Sequence, residues 1–174
     1  MREMADAAVA ILHARITDSV LLIRRSERHD DPWSGHWSLP GGGRERGDTD
    51  ALETALRELT EETGIRLSRE ALRCALPLAY ARRRTGPCVT VAPFVFEVES
   101  ELPVTLELRE AVEACWIPVA TLHDPSQHST RSIPGMPAEA LFPCVELGSM
   151  PLWGFTYRLL SDWLGIAPGD QTGA

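Results

Sequence analysis

Arg57-Glu58-Leu59-Thr60-Glu61-Glu62-Thr63-Gly64 places a guanidinium and three carboxylates within six consecutive residues, just after a glycine-rich turn. Like charges one helical turn apart repel and destabilise a helix. Something must compensate, and clustered hard oxygen donors suit a divalent cation such as Mg²⁺ or Mn²⁺. That pairing belongs to enzymes that work on phosphates. On a helical wheel of ~100° per residue with Leu52 at zero, Glu61 falls near about 180°, Glu58 near about 240° and Glu62 near about 280°. The three acids therefore share one arc beside Ala55 and the apolar stripe. Glu58 and Glu62 are one turn apart and can reach the same ion. Arg57 lies beyond the edge of the arc and can orient a carboxylate, Glu61 first. The bland alternative is a solvated helix face laced with i,i+4 ion pairs. The glycine turn upstream favours the metal, because it brings backbone N–H and C=O groups to the helix start, where phosphate or cation can be met.

The elements that must position these residues follow from pattern. Ala7–Ala14 and Val20–Arg25 read as strands joined at an Asp18-Ser19 turn, a hairpin. Residues 27–35 form a polar loop, Trp37-Ser38-Leu39 is short and extended, and Pro40-Gly41-Gly42-Gly43 reads as a turn. A helix is expected over Asp50–Thr63. Leu52, Leu56, Leu59 and Thr63 share one face, Asp50 with Glu53 resembles a capping box, and Gly64 suits a left-handed stop. Leu76–Ala81, Val89–Val98 and Ala114–Ile117 read as strands, and Pro118–Thr121 as the start of a short helix. Residues 123–150 are proline-rich and read as irregular. A last helix is expected over Trp153–Leu164, with Trp153, Tyr157, Leu160 and Leu164 on one stripe. Short strands with helices around them predict a mixed α+β sandwich.

The 174 residues suffice for one domain with a sizeable core. With 44% hydrophobic and 24% charged residues the composition is that of an ordinary globular chain. A net charge of -8 disfavours nucleic acid as a partner, and an anionic substrate then needs a metal ion or local arginines. Cys74, Cys88, Cys115 and Cys144 form no C-x-x-C pair, which fits a reduced, cytoplasmic protein better than a disulfide scaffold or a zinc site. No apolar run is long enough for a membrane span, and the start lacks a signal-peptide layout. The sequence leaves monomer and homodimer both open.

At the acidic helix the chain resembles the Nudix hydrolases, whose box reads G-x5-E-x7-R-E-U-x-E-E-x-G-U with U a bulky aliphatic residue. Arg57, Glu58, Leu59, Glu61, Glu62, Gly64 and Ile65 match in order. With Gly42 as the first glycine, the upstream acid is Asp48 in place of glutamate, and the gap to Arg57 is eight residues in place of seven. Counting from Gly43 would put Thr49 at the acidic position. The longer gap, Leu21-Leu22-Ile23-Arg24-Arg25-Ser26, Gly35-His36-Trp37-Ser38-Leu39-Pro40-Gly41-Gly42 and Trp153-Gly154-Phe155-Thr156 are similar to the coenzyme A pyrophosphatase branch. Across about residues 8–165 the resemblance implies a single domain, residues 1–174, folded as an α/β/α sandwich with a mixed central sheet.

It also implies an activity: hydrolysis of a pyrophosphate bond in a nucleoside diphosphate linked to another group. Coenzyme A or a related nucleotide is the expected substrate. ADP-ribose or another dinucleotide is the alternative within the class, and a non-catalytic ligand-binding module the alternative outside it. By the resemblance, Glu58, Glu62 and Glu61 hold Mg²⁺ or Mn²⁺ with the carbonyl of Gly42, and Arg57 orients the acids. The general base is Glu61 or, outside the box, Glu110. Arg25 at a strand end is a candidate phosphate contact. Arg82-Arg83-Arg84 before a Thr85-Gly86-Pro87 hairpin signal can grip phosphates through Arg82 and Arg84, and equally reads as a solvated turn. Trp37 is a candidate stacking surface for a base, with core filling as the plain alternative.

Overall fold

Strands β1 (Ala7–Ala14) and β2 (Ser19–Arg25) carry the longest apolar runs of the N-terminal half and form the centre of the fold. The fold is seen in a computed structural model that describes residues 5–27, 35–81 and 87–167. Then come β3 (Trp37–Ser38), β4 (Gly41–Gly43) and helix α1 (Ala51–Thr63). Strands β5 (Leu72–Ala75), β6 (Ala79–Ala81), β7 (Val89–Val98) and β8 (Ala111–Pro118) complete the main sheet. After a short helix α2 (Val119–His123), strands β9 (His128–Arg131), β10 (Phe142–Val145) and β11 (Leu152–Trp153) lead into α3 (Gly154–Leu164).

The main sheet runs β3-β2-β1-β7-β5, with β4 added to β1, β6 to β7 and β8 to β2. It is mixed: β1 pairs with β7 in parallel along its whole length, and the other pairings are antiparallel. Side chains alternate across a pleated strand, and here the alternation separates two cores. Leu12, Leu21 and Phe96 face one side with Ala55 and Leu59 of α1. Ile11, Leu22 and Val95 face the other with Tyr157 and Leu160 of α3. The result is the α/β/α sandwich that the resemblance implied. A smaller antiparallel sheet, β11-β10-β9, flanks α3.

Helix α1 forms where local chemistry predicts it. Asp50 caps it by accepting the Glu53 N–H at 2.8 Å. Glu53 reaches back to the Thr49 N–H at 2.8 Å, so the reciprocal bond closes one residue further out than in a standard capping box. Gly64 ends the helix at φ 71°, a left-handed value that a Cβ disfavours. The buried face differs from the expected stripe. Thr54, Ala55, Leu59, Glu62 and Thr63 are buried, whereas Leu52 and Leu56 are only half-buried. The core-facing arc is thus rotated toward the acids, and one of them goes inside.

Several other expectations change. Gly41–Gly43 is a strand, not a turn: its residues pair with Val9, Ala8 and Ala7. The strand expected over Leu76–Ala81 is broken, with β5 ending at Ala75 and β6 starting at Ala79, both on β7. Pro77 lacks the N–H that a continuous ladder needs. The strand expected over Ala114–Ile117 extends to Ala111–Pro118. Residues 123–150 are not wholly irregular, since β9 and β10 pair there over four residues. The last helix begins at Gly154, one residue later than expected, with Trp153 in the strand before it. No helix among the described residues is long and apolar enough to cross a membrane.

Candidate active site

Arg57 is the hub of the site. Its Nε and Nη2 donate to the two oxygens of Asp48 at 3.1 and 3.0 Å, a fork-to-carboxylate contact. Nη1 donates to Glu58 at 2.9 Å and to Glu61 at 3.0 Å, and Nη2 also reaches the Gly43 carbonyl at 2.9 Å. One cation therefore ties the glycine strand, the loop after it and two helical acids together. Asp48, the shorter acid in the box, is buried, and it also accepts from the Thr54 hydroxyl at 2.9 Å and from the Glu45 N–H at 2.9 Å. The Arg57 fork, with these two donors, holds the Asp48 carboxyl well below the usual carboxylate range despite its burial. In turn Asp48 and Glu58 hold the Arg57 guanidinium firmly charged.

The box acids divide by environment. Glu62 is buried and accepts the Gly41 N–H at 2.8 Å. Burial pushes its carboxyl up to about 8, offset in part by the Gly41 N–H and by the charge of Arg25. Burial also raises Glu58, against the pull of Arg57. Glu61 differs: its side chain is 51% exposed and bound to Arg57. Gly42 packs so closely on Glu58 that a Cβ would lie 2.5 Å from its Oε1. Any side chain at position 42 would displace the Glu58 carboxylate from the place it now holds against the strand.

A cavity of about 180 Å³ opens between these elements. Arg25, Ser26, Gly41, Gly42, Glu58, Glu62 and Glu110 line it. The end of β2, the glycine strand, the helix and the turn before β8 thus bring together Arg25, Gly42, Glu58, Glu62 and Glu110 from the sequence-based set. Glu61 and Arg57 stand beside the cavity without lining it. Trp37 does not serve as an exposed stacking surface: it is 7% exposed and packed with Leu39, Val145 and Leu160 in the core on the α3 side. As a short strand on β2, it turns its ring inward. Arg82 and Arg84 lie outside the described residues. Ser26 was not singled out for this site by its spacing. Its contacts are to main-chain carbonyls more than 80 positions away, which leave no signature in a sequence.

No three His, Cys, Asp or Glu side chains among the described residues stand arranged as a ready-made metal cluster. The donor set still fits Mg²⁺ or Mn²⁺. It is all oxygen, it lines a cavity, and two of its carboxylates carry a desolvation penalty that a cation would remove. Glu58, Glu62 and the Gly42 carbonyl are the groups that would hold it.

The model of the NUDIX domain matches residues 4–137. The chain belongs to the Nudix family. It is 39% identical over 107 residues to an uncharacterized protein of Schizosaccharomyces pombe, covering 59% of this chain and 32% of that protein. It is 47% identical over 62 residues to the m7GpppN-mRNA hydrolase NUDT17 of Xenopus laevis, covering 36% of this chain and 20% of that protein. The matches therefore span about a third or less of the length of these curated relatives. Among solved structures, it is similar to a bifunctional NMN adenylyltransferase/ADP ribose pyrophosphatase from Francisella tularensis, complexed with AMP and a Mn ion. The TM-score is 0.51 and the identity 26%, over 68% of this chain and 35% of that one. The narrower likeness to the coenzyme A pyrophosphatase branch finds no support in these relatives.

Replacing Asp48 with Asn leaves Arg57 without its buried counter-charge. D48N is expected to cost about 3 kcal/mol in chemical denaturation, the scale for breaking a buried ion pair. The folded Asp48 carboxyl lies below its free value of 3.8, so its contribution is full above that value and is lost as pH falls below it. The stability gap between wild type and D48N should therefore narrow in acid; a gap that is constant from pH 7 to pH 3 contradicts this role.

Proposed function

We propose that this chain is a divalent-metal-dependent pyrophosphohydrolase that cleaves a nucleoside diphosphate linked to a second group. The observation that carries the reading is the cavity in which Glu58, Glu62, Glu110 and Arg25 meet against the glycine strand. An ordinary solvated helix face would leave its acids in water. Here Glu62 is buried and Glu58 is mostly covered, a costly arrangement that a binding role for cations rationalises. Retention of all three box acids with Arg57 favours catalysis over a purely ligand-binding module.

The chemistry follows from charge. A diphosphate repels an incoming nucleophile, so its negative charge must be offset. Bound by Glu58 and Glu62, Mg²⁺ or Mn²⁺ supplies charge neutralisation and acidifies water. Arg25, on the same cavity wall, supplies a positive group for a phosphate oxygen. Water adds to one phosphorus, the bridging P–O bond breaks, and a carboxylate accepts the proton. Glu110 is the better placed of the two candidate bases, because it lines the cavity and Glu61 does not. Arg57 keeps Glu58 oriented and spends the remaining donors on Asp48, Glu61 and Gly43.

The substrate class is a nucleoside diphosphate derivative. ADP-ribose is the first candidate, in view of the Francisella enzyme's name, and other dinucleotides follow from the family resemblance. Capped RNA enters through the Xenopus relative's name, although the net charge of -8 opposes a long polyanion. Coenzyme A stays in the panel on the resemblance alone, and residues 28–34, which precede the Gly35 motif, lie outside the described residues.

A panel of coenzyme A, ADP-ribose, NADH, diadenosine tetraphosphate and a cap dinucleotide, with products identified by mass, tests the class. Turnover of at least one member with Mg²⁺ and none with chelator is expected. E110Q should lower kcat by about 10²-fold or more, the scale of a lost general base, and E61Q by less. The reverse ranking moves the base to Glu61, and no turnover with any member leaves a binding module.

Metal and proton compete for Glu62. Its folded value of about 8 lies above the free value of 4.5, so the stability it contributes is full below 4.5 and is lost as pH rises through about 8. A cation that takes the ionised carboxylate restores it. Mg²⁺ should therefore raise Tm more at pH 8 than at pH 6, and E62Q should flatten that difference. An equal rise at both values would show that Glu62 does not take part.

A further inference from the structure

Glu110 sits in a turn that is clamped from two sides. The Glu110 and Ala111 N–H groups both donate to the Glu107 carbonyl, at 2.8 and 2.9 Å, closing the turn. On one side the Glu107 N–H meets the Glu62 carbonyl at 3.4 Å, and the Thr105 N–H meets the Thr63 carbonyl at 2.9 Å. These contacts fasten the segment to the last turn of α1, the helix that carries the box acids. On the other side Ser26 takes hold twice. Its N–H donates to the Glu110 carbonyl at 2.9 Å, and its hydroxyl donates to the Arg109 carbonyl at 2.7 Å.

The strand pairing explains why the second contact matters. The β2–β8 register shifts between Arg24, opposite Glu113, and Arg25, opposite Ala111. Such a bulge interrupts the ladder and re-aims the side chains beside it. Beyond the shift Arg25 pairs with Ala111, and one backbone bond, from the Ser26 N–H to the Glu110 carbonyl, still joins the two segments. The Ser26 hydroxyl adds a side-chain tie at Arg109. Ser26 also lines the cavity next to Glu110.

We propose that Ser26 is a positioning residue for the hydrolytic site: its hydroxyl, given to the Arg109 carbonyl, holds the Glu110 turn against the end of β2 and fixes where the Glu110 carboxylate stands relative to Glu58 and Glu62. The proposal rests on the reading of this cavity as the hydrolytic site with Glu110 as its base. Ser26 has no nucleophilic role here, because its proton is committed to the Arg109 carbonyl.

A double-mutant cycle tests it, with Mg²⁺ and the best-hydrolysed member of the panel above as substrate. S26A is expected to lower kcat about five- to tenfold, the scale of one lost neutral hydrogen bond, with KM within about twofold. S26T, which keeps the hydroxyl, should recover most of the rate. In the E110Q background S26A should cost almost nothing more, since its effect passes through Glu110. Multiplying losses in the double variant, or a change in KM alone, would overturn the positioning role. Full activity in E62Q would instead remove the site itself, and the proposal with it. Thermal melting of each variant separates these outcomes from simple unfolding.

Discussion

The structure depends on one arginine among five acids. Glu45 and Asp48 in the loop before α1 and Glu58, Glu61 and Glu62 on the helix crowd together, and the Arg57 guanidinium stands among them as the shared counter-charge. Arg57 bonds to three of these acids and to the Gly43 carbonyl, and lies 3.8 Å from Glu45. A planar fork with five donors can serve several acceptors at fixed angles, which a lysine cannot. Through it, the loop after the glycine strand is fastened to α1, and the strand is fastened to β1 by pairing. The cavity is what remains between them.

The same arrangement leaves a residual problem, and that problem is the chemistry. Arg57 serves Glu58 and Glu61 but not Glu62, which accepts the Gly41 N–H. Glu62 is therefore buried beside Glu58 and Glu110 with its charge incompletely matched, and its protonated form is favoured. A cation there would relieve the mismatch, which is what the proposed phosphate chemistry asks of the site. Glu61 is the acid of the box left in water, which is why its contiguity with the others on a helical wheel overstated its place in the cavity.

Much of this was legible in the sequence where the determinants are local. The cap at Asp50, the stop at Gly64 and the run of acids define α1 without reference to the rest of the chain. The spacing from Gly42 put an acid at position 48, and the structure gives that acid the Arg57 fork. What could not be read depends on distant partners. Three glycines in a row signal a turn, yet Gly41–Gly43 becomes a strand because the edge of β1 at Ala7–Val9 is open to receive it. Strands β9 and β10 are four residues each, the second with Pro143 inside it, and they gain definition only from pairing with each other and with β11. Trp37 could have stacked on a base or filled the core, and only the packing against Leu39 and Leu160 decides. Ser26 works through a carbonyl 83 positions away.

The central claim is that the buried box acids hold a divalent cation against the glycine strand. The most direct measurement is an anomalous difference map from a crystal soaked in Mn²⁺. A peak within coordination distance of Glu58 and Glu62, inside the cavity bounded by Gly42, is predicted. A map with no peak there, while Mn²⁺ appears only at exposed acids such as Glu61, would contradict the account.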